Sequence, residues 1–152
     1  MNTYHTFTFR TNASSVLTDV NVTSAFKRKA GGKADSTVKA LWDTGSNYSC
    51  ISQRLANALN LSLFGKTDVI NSTGQTERDM YYVHIGIPGT SVLFYGMLVT
   101  AFSNQYINES DSFDIIIGMD IITRGDFAVT TYNMETMMSF CMPSRGHINF
   151  QD

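Results

Sequence analysis

The chain opens with strict alternation. From Tyr4 to Arg10, His5, Phe7 and Phe9 fall on one face and Tyr4, Thr6 and Thr8 on the other, which predicts a β-strand. At the start of the chain it is an edge, open to pairing with another chain. Val16 to Phe26 is β-prone, with Val16, Val20, Val22 and Phe26 among polar residues. Lys27 to Asp35 carries Gly31-Gly32 and reads as a hairpin connection that returns along Thr37 to Trp42. One stretch has a clear helical period. Ser52 is a capping residue type, and Ile51, Leu55, Ala58 and Leu59 fall on one face, so a helix is predicted over Ser52–Asn60.

The strand pattern then resumes. Thr67 to Ile70 and Thr76 to Val83 flank the polar stretch Asn71-Ser72-Thr73-Gly74-Gln75, which predicts a hairpin. Met80 to Ile87 continues the second strand. Pro88-Gly89 suits the central pair of a type II turn, and Val92 to Thr100 returns. Ser103 to Ser112 reads as a polar loop. Phe113-Asp114-Ile115-Ile116-Ile117-Gly118 is an apolar run without alternation, consistent with a strand buried on both faces. Met119 to Arg124 predicts a short helix stopped by Gly125. Phe127 to Tyr132 and Met137 to Met142 form a last hairpin, and the tail from Gly146 to Phe150 reads as a further strand. The triplet Arg124-Gly125-Asp126 is explained by a helix stop before a strand.

Composition narrows the function classes. The chain has 152 residues, 43% apolar and 16% charged, which suits one globular domain spanning 1–152. Net charge is −2, and the single basic cluster, Lys27, Arg28, Lys29 and Lys33, reads as a solvated hairpin tip. Nucleic acid is therefore not an expected partner. No apolar run is long enough to span a bilayer. The opening MNTYHTFTFR has neither a basic start nor an apolar stretch, so the expected location is cytoplasmic, with no membrane partner. Cys50 and Cys141 are too few for a disulfide framework and read as two buried thiols. His5, His84 and His147 have no metal-ligand spacing.

The candidate chemistry sits in Ala40-Leu41-Trp42-Asp43-Thr44-Gly45-Ser46-Asn47. A carboxylate at the end of a buried strand is costly unless compensated nearby. Gly45 permits a tight turn that turns N–H groups toward Asp43, and Thr44 and Ser46 add hydroxyls. Alone, Asp43-Thr44-Gly45 is also the composition of an ordinary turn.

Three elements stand in order: apolar-Asp43-Thr44-Gly45-Ser46, a Gly-tipped hairpin some thirty residues on, and Ile115-Ile116-Ile117-Gly118-Met119-Asp120. In this the chain resembles the retroviral-type (retropepsin-like) aspartic proteases over roughly Thr37 to Met142. Its helix after the loop is more similar to the stand-alone cellular members than to the short viral ones. The resemblance implies an all-β fold: a closed retropepsin-like acid-protease barrel with a flap hairpin, one helix after the catalytic loop and a short helix after the Ile-Gly strand. It implies Asp43 as the catalytic acid/base, Thr44 bonding across a dimer axis, Gly45 allowing close backbone approach, and Ser46 donating to the outer oxygen of Asp43. Ser72, Thr73, Gly74 and Gln75 would form the flap tip, and Ile117-Gly118 the strand packed beside the catalytic loop. Asp120 matches that second element and not a second catalytic loop.

With one Asp-Thr-Gly per chain and a mechanism that needs two carboxylates, the resemblance implies a homodimeric aspartic endopeptidase acting on polypeptides without metal or cofactor. Terminal strands interleave at the dimer interface in that family, and the N-terminal strand and the tail are expected there. The flap tip is polar where the viral flap is rich in Gly and Ile. Two alternatives stand beside the enzyme: a binding or regulatory dimer that kept the fold without turnover, and a protease domain released from a longer polyprotein. Leu41, Val69, Ile70, Ile115 and Ile117 are candidates for apolar substrate pockets, with core packing the competing role for most of them. Of Tyr81 and Tyr82, one faces the site side of the hairpin sheet and the other does not.

Overall fold

Strand pairing, more than helix, organises this chain. The structure, a computed structural model, describes residues 3–26, 35–71, 74–103 and 112–151. Ten strands and two short helices run in the order β1 (His5–Thr11), β2 (Leu17–Ser24), β3 (Asp35–Trp42), β4 (Cys50–Ser52), α1 (Gln53–Ala58), β5 (Gly65–Asn71), β6 (Gly74–Gly86), β7 (Leu93–Phe102), β8 (Ile115–Ile117), α2 (Met119–Ile122), β9 (Asp126–Tyr132) and β10 (Glu135–Met142). The fold is all-β, as the resemblance implied.

Two sheets form. Seven strands run in the order β2-β3-β8-β4-β7-β6-β5, and β2 pairs again with β6. That extra pairing, Asn21 opposite Gly86 to Ser24 opposite Val83, returns the order on itself. Six strands thus share a ring of hydrogen bonds, and β5 hangs outside it on β6. Within the ring β8 lies parallel to β3 and antiparallel to β4. The second sheet has the order β1-β10-β9.

The two sheets meet through an aromatic cluster. Phe7, Trp42 and Phe140 lie with ring centroids 5.5–6.1 Å apart, and Phe127 stacks on Trp42 at 5.6 Å. Trp42 is buried, and its Nε1–H donates to Thr18 Oγ1 at 2.9 Å, so its polar edge is satisfied inside the core. Val20, Val22, Ile51, Val83, Ile85, Val99, Ile115 and Ile117 fill the rest with no exposed surface.

Several local expectations hold. Ser52 caps α1, its Oγ accepting from Leu55 N at 3.0 Å. The helix is a turn shorter than predicted and ends where Asn60 takes φ 48. Leu61 N then reaches back to Ala56 O at 3.0 Å, a C-terminal closure that asparagine tolerates. Its buried face is Leu55, Ala56 and Leu59; Ala58 is exposed, because so short a helix turns toward β4 and β7 and not along the full predicted stripe. Thr90 N donates to Ile87 O at 3.2 Å, closing the turn at Pro88-Gly89. The hairpin tip at Lys27, Arg28, Lys29 and Lys33 lies outside the described residues, as does nearly all of the loop after Ser103.

Of the two terminal expectations, one changes. The N-terminal strand is the edge expected of it: all seven residues of β1 pair with β10, His5 opposite Met142 through Thr11 opposite Thr136, and its other side has no strand partner among the described residues. The tail from Gly146 to Phe150 is not a strand. β10 already has a neighbour on each side, so the tail cannot continue the ladder of the strand it follows. Asp126 ties its start down instead, accepting from Ser144 Oγ and, at 2.6 Å, from Arg145 N. Those donors, with Ser144 first, hold the Asp126 carboxyl below its ordinary range. The Arg124-Gly125-Asp126 triplet is structural. A Cβ on Gly125 would fall 2.2 Å from Cys141 O, so only glycine fits where β9 leaves α2. No helix among the described residues is long and apolar enough to cross a membrane.

Candidate active site

β3 ends at the buried Trp42 and delivers Asp43 to a tight loop. Asp43 N donates to Ile117 O at 2.9 Å, so the loop starts as a continuation of the β3–β8 pairing. Gly45 N donates to Asp43 Oδ1 at 2.8 Å, which orients the carboxylate, and Ser46 N returns to Asp43 O at 3.2 Å. The Ser46 hydroxyl differs from expectation. It donates to Tyr48 O at 2.7 Å and bridges the loop's exit; it does not reach the outer oxygen of Asp43. A backbone carbonyl two residues on lies closer to hand than a side chain aimed out of the loop. Thr44 is exposed at the apex.

The loop's far side is clamped by the Ile-Gly strand and the helix after it. Met119 N donates to Ser46 O at 2.8 Å and Asp120 N to Asn47 O at 3.2 Å. Ser49, fully buried, donates from Oγ to Asp120 Oδ1 at 2.7 Å and from N to Oδ2 at 3.1 Å. The same Oγ accepts from Gly118 N at 3.1 Å. Gly118 is where the two backbones touch: a Cβ there would lie 2.6 Å from Tyr48 C and 2.9 Å from Ser46 O. Asp120 is thus a structural acid that also accepts from Ile121 N at 3.0 Å. The sequence reading missed Ser49. Its signal was a small hydroxyl six residues past Asp43 in an otherwise apolar approach to the helix, meaningful only once Asp120 is placed opposite.

A second polar knot pins the start of β8. Ser52 Oγ donates to Asp114, and Arg54 forks onto the same carboxylate through Nε at 3.2 Å and Nη2 at 2.8 Å. The hydrogen bonds to Asp114, then its charge, raise the Arg54 pKa. Both ends of the three-residue β8 are therefore fixed, and with them the floor beneath Asp43.

Alternation assigns the faces. Ala40 and Trp42 point into the core, so Leu41 and Asp43 share the opposite face. Leu41 is in register with Ile116, Ile116 with Cys50, Cys50 with Thr100, and Thr100 with Met80. Residues opposite each other across strands share a face, and all five are partly buried while their chain neighbours Ile115, Ile117, Ile51, Val99, Ala101 and Tyr81 are buried. One sheet face therefore runs from Asp43 across five strands to the flap hairpin β5–β6. Along β5, Gly65, Thr67 and Val69 are partly buried on that face, and Lys66, Asp68 and Ile70 are exposed on the other.

These faces sort the candidate pocket residues. Leu41 and Val69 lie on the Asp43 face. Ile115 and Ile117 are core, with no exposed surface, and Ile70 is 81% exposed on the outside of the hairpin. Tyr82, in step with Met80, is on the site-side face, where Phe64 packs on it at 4.6 Å. Tyr81 points inward; its hydroxyl accepts from Gln53 Nε2 and donates to Asp79 Oδ2. Of the expected flap tip, Gly74 and Gln75 open β6 and are exposed, and Ser72 and Thr73 lie outside the described residues. Cys50 sits on the Asp43 face, where burial first, and then the charges of Asp120 and Asp43, push its thiol up to about 11. Beside Asp43 a cavity of about 330 Å³ opens, lined by Ser14, Ser15, Val16, Leu41 and Val129 among others.

No curated protein sequence matches this chain significantly. Among solved structures it is similar to a retropepsin-like aspartic protease from Rickettsia conorii, at a TM-score of 0.52 and 12% identity over 92% of this chain and 94% of that one. It also aligns with the retroviral protease-like domain of Ddi1 from Leishmania major, at a TM-score of 0.42 and 17% identity over 78% and 90% of the two chains. The first of these likenesses speaks for the retropepsin-like fold. The profile of a family described as aspartyl protease matches residues 29–121, a span that holds the Asp43 loop, the flap hairpin and the Ile-Gly strand. The chain belongs to the aspartyl protease family.

Proposed function

We propose that the protein is a homodimeric aspartic endopeptidase in which Asp43 of each of two subunits activates a shared water for peptide-bond hydrolysis. The observation that carries this reading is the geometry at Asp43. Its carboxylate is oriented by Gly45 N–H at 2.8 Å and stands at the open end of a partly apolar sheet face, above a floor fixed through Ser49, Gly118 and Asp120. Each chain brings one such carboxylate, and two are needed. A two-fold axis beside the loop supplies the second.

In the dimer the two carboxylates lie too close for both to ionise cheaply, and the pair holds one proton. The ionised member takes a proton from the bound water as its oxygen attacks the scissile carbonyl carbon. The protonated member donates to the carbonyl oxygen, giving a neutral tetrahedral diol. Collapse breaks the C–N bond as a proton passes to the leaving amine. The apparent pKa values belong to the pair. Thr44, exposed at the apex, is placed to bond across the axis, while Ser46 holds the loop's own exit. The flap hairpin covers the bound polypeptide.

The test is a digest. Purified protein, its assembly state measured beforehand, is incubated with an unfolded protein from about pH 3 to 7, alongside Asp43→Asn. Fragments from the native protein and a loss of at least about a thousandfold in the variant are expected. A folded dimer that cuts nothing at any pH rejects hydrolysis in favour of a binding module.

A further inference from the structure

The Asp43 face also carries Arg78. From Met80, Arg78 lies two residues back along β6 and so on the same face, in register with Thr67 of β5. It is partly buried. Among the described residues, no hydrogen bond or ion pair engages its guanidinium. The two acids beside it in sequence belong to the other face: Lys66 pairs there with Glu77 at 2.8 Å and approaches Asp79 at 3.9 Å, and Asp79 also accepts from Tyr81. The residues nearest it on the Asp43 face by register are Met80, Thr67, Val69, Thr76 and Thr100, none of them acidic; at the β2–β3 end of that face Asp19 is already paired with Lys39 at 2.7 Å.

A planar five-donor cation with no acidic neighbour beside it is suited to a carboxylate that arrives from outside. We propose that Arg78 determines specificity by binding an acidic side chain of the polypeptide substrate, which deepens the protease reading and rests on it. Four inter-strand gaps of roughly 4.8 Å separate Leu41 from Met80, so Arg78 reads a position several residues from the scissile bond. The two-fold axis places a second Arg78 at the other end of the cleft. Substrates with acidic residues on both sides of the cut gain most.

The experiment uses matched octapeptides with Glu or Gln at each position in turn. Cleavage is followed with the native protein. Binding is followed by fluorescence anisotropy with the Asp43→Asn protein, which requires no turnover. At one or two positions the Glu peptide is favoured roughly three- to tenfold in both assays, and 0.5 M salt weakens the preference. Arg78→Gln removes the preference for Glu over Gln, and Arg78→Glu shifts it to Lys. Equal handling of Glu and Gln by the native protein overturns the proposal. So does a preference that survives in Arg78→Gln, or a variant that loses stability with selectivity unchanged. Binding that favours Glu without any cleavage sinks the hydrolysis and keeps Arg78. Cleavage indifferent to charge does the reverse, and peptides neither bound nor cut reject both.

Discussion

Ser49 N finds its partner, Asp120, 71 residues away, while Lys66 on the flap hairpin finds Glu77 only 11 residues away. The contrast runs through both regions. From Asp43 to Cys50 the loop is bonded to Ile117, Met119 and Asp120, all far along the chain, the first fully buried and the other two partly so. From Gly65 to Asp79 the hairpin bonds to itself, and its described side chains are exposed or partly so. Buried polar groups left without partners are expensive, whereas exposed ones turn to water. The floor of the site therefore belongs to the global fold and unfolds with it, and the roof can change without disturbing the core.

Perturbing the floor gives the larger effects. Gly118→Ala drives a methyl into the Tyr48 and Ser46 backbone, where nothing can yield by rotating a side chain. We expect a loss of about 3 kcal/mol or more in urea unfolding, with activity falling as the loop shifts. A variant within 1 kcal/mol of native would mean that the two backbones can part cheaply. Ser49→Ala leaves the Gly118 N–H without its partner and takes one of three donors from the Asp120 carboxylate, at a cost of about 2 kcal/mol. Ser49→Thr, which keeps the hydroxyl, should recover part of it.

The Cys50 thiol sharpens the comparison by chemistry. Its folded pKa of about 11 lies above the reference value of 9.0. At pH 9 roughly half of the thiol ionises in urea and roughly one part in a hundred in the folded protein, so alkylation of Cys50 should be tens of times slower when folded. The sign for stability follows. The group's contribution is fully present below pH 9 and is lost as pH rises toward 11. Equal rates at pH 9, read by mass spectrometry of the Cys50 peptide, would contradict burial of that thiol. The smallest effect belongs to the roof. Lys66→Ala breaks exposed ion pairs and should change stability by less than about 1 kcal/mol, a change that calorimetry can bound.

What the sequence disclosed divides along the same line. Asp43-Thr44-Gly45, the Ser52 cap, the Pro88-Gly89 turn and the hairpins rest on neighbours close in sequence, where residue type nearly dictates geometry. The apolar run Ile115–Ile117 announced burial, but not that Gly118 would meet the Tyr48 backbone. The closure of β2 on β6 and the capture of β1 by β10 depend on which edges remain open after folding, and alternation does not record that. Ser46 shows the limit most plainly. The sequence offers its hydroxyl two acceptors, and the path of the loop brings it to Tyr48 O and not to Asp43. Ile70 illustrates it again, since an apolar side chain in a strand does not say which face is covered.

β6 has a mechanical consequence. Beyond Met80 it pairs with β7 and β2 inside the ring; before Met80 it pairs with β5 alone. The hairpin is a beam clamped at one end. Six residues of overhang at ~3.3 Å each make a lever of ~20 Å, so a tilt of ~10° at the clamp carries Gly74 through roughly 3.5 Å. A side chain that stiffens or loosens the Met80–Thr100 joint acts at the far end of the arm without touching anything bound there, and the gearing is set by how many residues extend past the last β7 partner.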